Sequence, residues 1–181
     1  MSRKAIYVIL GVFAVALVAS IVTSRNVIVS VSGHYRDDEL GFSIRYPESW
    51  EKRIDFQGTV VAFVSPQERS SDRFRDIVNV VMTEVEEGTV LDDRLLEEFY
   101  AEIESHGTDF QVLETQALQI NSVDARRIIC RLRVQGHLFQ YLLYVLLKQD
   151  RVYVITCTSR KLNFDRYEGV FDKICRSIQI D

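Results

Sequence analysis

The sequence predicts an α+β fold in which a mostly antiparallel sheet carries helices on both faces, preceded by one N-terminal transmembrane helix. Closely spaced apolar segments joined by two-residue turns predict the sheet. Several of these segments are apolar on both sides, so both faces of the sheet are expected to be covered. Two amphipathic segments with helical spacing supply the covering helices, which predicts a helix–sheet–helix sandwich.

An uncharged apolar run occupies residues 5–22, directly after Arg3 and Lys4. At about 1.5 Å per helical residue it just spans a hydrocarbon core of about 30 Å. Basic residues ahead of the run place the N-terminus in the cytoplasm and the remainder outside it. A signal anchor is favoured over a cleaved signal peptide, because small residues suited to cleavage are poorly placed. The predicted parts are a signal anchor or signal peptide at 1–25, a juxtamembrane linker at 26–39 and a domain at 40–181.

Charge and motifs exclude several classes of function. The 181-residue chain has a net charge of −4, and removing the three basic residues of the first 25 leaves 19 basic and 26 acidic residues, a net of −7. An acidic domain is a poor candidate for binding nucleic acid. The sequence has no phosphate-binding glycine pattern and no nucleophile elbow, and its histidines have no metal-ligand spacing. It therefore predicts no enzyme, no cofactor and no metal site.

The first strand of the domain is predicted within residues 41–50, where apolar residues alternate until Pro47 and Trp50 anchors the following turn. Residues 51–54 form the next predicted strand. Two more strands are expected at 60–65 and 76–85, separated by a polar loop at 67–75.

Helical spacing of Leu95, Phe99 and Ile103 predicts a helix over 91–106, with Gly107 at its C′ position. A second apolar stripe predicts a closing helix over 163–177. Between them a meander is expected, with strands at 111–118, 125–134, 137–147 and 151–158 and turns at Asn121-Ser122, Gln135-Gly136 and Gln149-Asp150.

Residues 41–50, which read G-F-S-I-R-Y-P-E-S-W, resemble the first hairpin of the PsbP-like and Mog1-like fold family. Residues 118–127 are similar to the family's central turn, and residues 164–178 to its last helix. The resemblance extends over about 40–181. It implies an extracytoplasmic docking module, often in membrane-associated assemblies. The N-terminal arm through which the photosynthetic members engage photosystem II is not recognisable, so neither photosystem binding nor any metal ligand is carried over.

Arg127, Arg131 and Arg133 share one face of a predicted strand, since residues two apart point the same way. One interpretation is a docking stripe for an anionic partner. The other, which we favour from sequence, is a solvated face whose charges discourage aggregation. The stripe is still the best candidate for partner binding in the chain. If the protein is a docking module, exchanging all three arginines for Gln is expected to leave folding intact and weaken partner capture at low salt.

Other polar groups have simpler explanations. The three histidines, His34, His106 and His137, fall in different settings, and the acidic residues at 37–39 and 84–87 fit solvated loops better than a calcium site. Three cysteines, Cys130, Cys157 and Cys175, are expected to face the core. One disulfide between two of them is compatible with export, but buried free thiols are favoured.

Two functions from different classes remain. The first is a membrane-anchored module outside the cytoplasm that binds a protein partner or assists assembly of a membrane complex. The alternative is an exported carrier of a small molecule or lipid, with a pocket lined by aromatic side chains such as Phe139, Tyr141, Tyr144 and Tyr153. An exported hydrolase has no support from the sequence.

Overall fold

The computed structural model describes residues 29–67 and 74–181. The predicted transmembrane helix and the alternative signal peptide lie outside these residues. Within the described residues, no helix has the length and apolar character needed to cross a membrane.

Two antiparallel sheets and two helices make up the described part of the chain, which confirms the predicted α+β class. A small sheet has the order β1-β2-β10, and a large sheet has the order β3-β4-β5-β9-β8-β7-β6. The elements are β1 (Gly33–Asp37), β2 (Phe42–Tyr46), β3 (Glu51–Ile54), β4 (Val61–Val64), β5 (Ile77–Glu84), α1 (Asp93–Ser105), β6 (Thr108–Ile120), β7 (Val123–Val134), β8 (His137–Lys148), β9 (Arg151–Arg160), α2 (Lys161–Arg176) and β10 (Gln179–Ile180).

The meander from β6 to β9 forms as predicted, because its turns are locally encoded. Both central residues of the first two turns have positive φ, at 49° and 66° for Asn121-Ser122 and 49° and 82° for Gln135-Gly136. This backbone matches the twist of paired strands. In the third turn, only Gln149 has a positive φ, at 56°.

Each face of the large sheet has its own core. Leu142 and Tyr144 of β8 point to the side covered by α2, together with Phe171 from that helix. Tyr141 and Leu143, the alternate residues of β8, point to the side covered by α1. The predicted helix–sheet–helix arrangement therefore follows from strands that are apolar on both faces.

The predicted first hairpin is not a hairpin. β2 pairs with β1 and β10 in the small sheet, whereas β3 pairs with β4 in the large one. The turn at Pro47 redirects the chain, with the Trp50 amide donating to the Pro47 carbonyl at 2.8 Å. The Trp50 indole is 4% exposed and contacts Tyr167 and Phe171 of α2 edge-on. The aromatic anchor thus fixes the passage between two sheets.

Gly107 occupies the predicted C′ position, directly after the C-cap residue His106 of α1. Its φ, however, is not in the left-handed region. A Cβ at this position would lie 2.4 Å from the carbonyl oxygen of Arg133. Glycine is required here because the chain passes against the backbone of β7.

Candidate docking face on the outer strands

The three arginines of β7 lie on the face of the large sheet that carries α2. In the antiparallel register Arg127 is opposite Tyr144, whose ring belongs to the core under α2. Arg131 is opposite Gln140, and Arg133 is opposite Leu138. Residues opposite one another in antiparallel strands point to the same face of the sheet. All three arginines therefore lie on one face, as the alternation of the strand predicted.

Arg127 lies beneath α2 and is paired with three carboxylates. Its Nη1 is 2.7 Å from Glu114 Oε1 on β6, and its Nη2 is 2.7 Å from Glu168 Oε1 on α2. Its Nε is 3.4 Å from Asp172 Oδ1. Burial alone would lower the pKa of Arg127, but the surrounding negative groups outweigh it and raise the pKa. With 9% of its surface exposed, Arg127 connects the outer strands to α2.

Asp172 is the carboxylate that α2 places deepest in this cluster. It accepts hydrogen bonds from the Tyr144 hydroxyl and from Arg176 Nε, the latter at 2.6 Å. Burial raises the pKa of Asp172, but these two donors and Arg127 outweigh burial and lower it. Burial and the bond to Asp172 raise the pKa of the Tyr144 hydroxyl, so it stays a donor.

Arg131 and Arg133 lie beyond the part of the sheet that α2 covers. Together with Gln111 and Leu138 they line an open cavity of about 360 Å³. Arg133 is held by Asp109, with Nε 2.7 Å from Oδ2, yet 41% of its side chain is exposed. Arg131 is half-buried, and its guanidinium makes no hydrogen bond or ion pair with any residue of 29–67 and 74–181.

Gln140 is a neighbour of Arg131 that sequence reasoning missed. It is 6% exposed, and its Oε1 has no hydrogen-bond partner in the described part of the chain. Buried polar atoms are nearly always paired, so an acceptor and a neighbouring guanidinium that both lack partners among residues 29–67 and 74–181 mark a polar patch worth testing. The signal was present in the sequence, because Gln140 interrupts the apolar run of β8.

The edge strand shapes this corner of the sheet. β6 is the outermost strand, and its register with β7 shifts between Thr108 and Gln111 and again between Val112 and Glu114. Asp109 has a φ of 55° within the first irregularity. Bulges bend an edge strand and re-aim its side chains. Here they bring Asp109 to Arg133 and leave Arg131 uncovered.

The remaining polar candidates are dispersed. The three histidines lie on β1, at the C-terminal end of α1 and on β8. The backbone N–H of His106 caps α1, and its Nε2 lies 3.4 Å from Glu102 Oε1. Asp37 accepts the amides of residues 39 and 40, and Asp92 accepts the amide of Leu95. No group of three or more potential metal-ligating side chains occurs in residues 29–67 and 74–181.

The aromatic residues expected to line a carrier pocket are part of the core. The exposed fraction of each is 1% or less, and none lines the described cavities. The residues are Phe139, Tyr141, Tyr144 and Tyr153.

Comparison with known proteins identifies the fold. A family model described as PsbP-like protein matches residues 18–180. The solution structure of PsbP from the cyanobacterium Synechocystis sp. PCC 6803 matches with a TM-score of 0.66 at 16% identity, covering 88% of this chain and 98% of that one. LpqN of Mycobacterium tuberculosis, described as involved in cell envelope biogenesis, matches with a TM-score of 0.59 at 12% identity, covering 77% and 82%. A Pseudomonas aeruginosa protein of unknown function gives 0.53 at 13%, covering 80% and 93%. No relative is found among curated proteins.

Proposed function

This chain belongs to the PsbP-like protein family, and from that membership we propose that it is a membrane-anchored module outside the cytoplasm that binds a protein partner or assists assembly of a membrane complex. PsbP-like domains are in general non-enzymatic. Residues 5–22 are the proposed anchor, and Arg131 and Arg133 the proposed contact with the partner.

The observation that carries the proposal is that Arg131, whose guanidinium has no partner within the described residues, lies beside the partly exposed Arg133 in one open cavity. Asp109, the one carboxylate that lines this cavity, is paired with Arg133, and residues 26–181 have a net charge of −7. An available positive patch on an acidic domain favours a partner that presents carboxylates. Arginine suits this role because its planar fork pairs with carboxylates in bidentate geometry and tolerates desolvation better than lysine.

Arg127 is not proposed to contact the partner directly. All three nitrogen atoms of its guanidinium group already pair with carboxylates, and α2 covers the side chain. A partner that bound Arg127 would first have to break these pairs. We therefore divide the predicted stripe into a structural arginine and two docking arginines.

The test is partner capture by the intact membrane-bound chain at low and high salt. The variant Arg131→Gln/Arg133→Gln is compared with Arg45→Gln/Arg94→Gln, which removes the same charge from two exposed sites on other elements. We expect the first variant to lose most of the captured partner at low salt and the control to retain it. Added salt should weaken capture by the wild type, because exposed charges are screened beyond about 10 Å at 0.1 M. Equal capture by both variants would refute the docking face.

Fractionation of cells tests the location. The full-length chain is expected in the membrane fraction, and a chain without residues 1–25 is expected to lose this association. Recovery of the full-length chain from the soluble cytoplasmic fraction would contradict the anchor without bearing on the arginines.

A further inference from the structure

Two cysteines lie side by side between β9 and α2. The sulfur atoms of Cys157 and Cys175 are 3.4 Å apart, and both residues are 0% exposed. Cys157 is in the middle of β9, and Cys175 is in the last turn of α2. The third cysteine, Cys130, belongs to the core on the opposite face of the sheet. The sheet therefore separates Cys130 from the other two.

We propose that Cys157 and Cys175 are a covalent modification site, at which a disulfide joins β9 to α2 and leaves Cys130 as a free thiol. A disulfide bond is about 2.05 Å long, so the two sulfur atoms would approach by roughly 1.4 Å. Each thiol loses its proton, and the pair gives up two electrons. A disulfide oxidant, such as oxidised glutathione or a disulfide oxidoreductase, accepts them and is itself reduced to two thiols.

Bond formation belongs to the folding phase. In the folded protein, burial and the neighbouring Cys175 raise the pKa of the Cys157 thiol, so little nucleophilic thiolate is present. The core also excludes an oxidant from both sulfur atoms. Folding brings the two cysteines together while they are still accessible, and closure of the core then protects the bond from reductants.

Oxidation in the cell rests on the proposed location outside the cytoplasm, since thiols of cytosolic proteins are kept reduced. Oxidation in vitro does not rest on it. The two conditions therefore test the pairing and the export separately.

In the first experiment the full-length chain, in detergent, is refolded from denaturant in a glutathione redox buffer or in reductant alone. Free thiols are then trapped with a maleimide after denaturation and counted by intact-mass spectrometry, which also distinguishes bound glutathione. We expect one tagged thiol after oxidised refolding and three after reduced refolding. Peptide mapping should identify the link as Cys157 to Cys175. The control Cys157→Ala should form no intramolecular link, whereas Cys130→Ala should still form it.

Three tagged thiols after oxidised refolding would overturn the proposal, as would glutathione bound to Cys157 and Cys175 or a link that includes Cys130. The second experiment traps the thiols of the chain directly in cells with acid and counts them in the same way. One free thiol there supports both the pair and the export. Three free thiols in cells, with the link formed in vitro, would contradict the export and leave the pairing intact.

Discussion

Replacing Arg127 with Gln tests whether the ion-pair cluster holds α2 on the sheet. The substitution leaves three carboxylates without their shared guanidinium. Glu114 and Glu168 have side chains that are 52% and 37% exposed, so water solvates them and each lost pair costs about 0–1 kcal/mol. Asp172 is 29% exposed and keeps its bonds from Tyr144 and Arg176. We expect about 0–2 kcal/mol for the two glutamate pairs together and about 1 kcal/mol for the Asp172 pair, a total loss of about 1–3 kcal/mol. This is at or below the lower end of the roughly 3–5 kcal/mol for breaking a fully buried pair.

Trp50 provides the signal for this measurement. It is the only tryptophan of the chain, is 4% exposed, and its ring centroid lies 6.1 Å from that of Tyr167 and 6.3 Å from that of Phe171 on α2. Its fluorescence should therefore report separation of α2 from the sheet. With a urea dependence of about 2 kcal/mol/M, the expected loss of about 1–3 kcal/mol lowers the unfolding midpoint by about 0.5–1.5 M.

The matched control is Arg133→Gln on the same strand. Its pair with Asp109 is exposed on both sides, so its midpoint should shift by less than about 0.5 M. Arg127→Lys should be intermediate, since one ammonium cannot reproduce the guanidinium fork. If Arg127→Gln shifts the midpoint no more than Arg133→Gln, the cluster does not stabilise α2, and Arg127 becomes a candidate for partner binding.

Three further predictions concern stability. Burial, which would raise the pKa of Asp172, is outweighed by its hydrogen-bond donors, so its folded pKa is below its unfolded value of about 3.9. The stability that Asp172 contributes is therefore present above about pH 4 and lost as the pH falls further. When unfolding is measured over an acid titration, Asp172→Asn should lose less stability than the wild type. Gly107→Ala should lower the free energy of unfolding by about 1–3 kcal/mol, because the new Cβ clashes with a backbone carbonyl of β7. Gly169→Ala, on α2 with open space around it, should instead raise the free energy of unfolding by about 0.5–1 kcal/mol. An equal loss in both variants would contradict the packing argument. Reductant reaches the Cys157–Cys175 bond when urea unfolds the chain, so it should lower the free energy of unfolding of the oxidised chain by about 3 kcal/mol for an 18-residue separation. The urea midpoint should fall accordingly, and that of Cys157→Ala should not change.

Features encoded by neighbouring residues could be predicted from the sequence. The turn at Gln135-Gly136 needs two residues that accept positive φ, and the alternation of β8 is visible in residues 137–147 alone. The family resemblance carried by residues 41–50 is confirmed by the match over 18–180. These signals are local, so the order of strands in the meander and the covering of both sheet faces could be predicted from the sequence.

The sequence by itself determined the α+β class, the meander, the two amphipathic helices and the single face shared by Arg127, Arg131 and Arg133. Only the tertiary structure decided which of these arginines is covered, because Arg127 meets Glu168 and Asp172 from positions 41 and 45 residues away. It also decided that β2 and β3 enter different sheets and that Gly107 lies against β7. The physical reason is the same in each case: periodicity reports which way a side chain points within its own element, whereas its burial and partners depend on elements that fold against it from far along the chain.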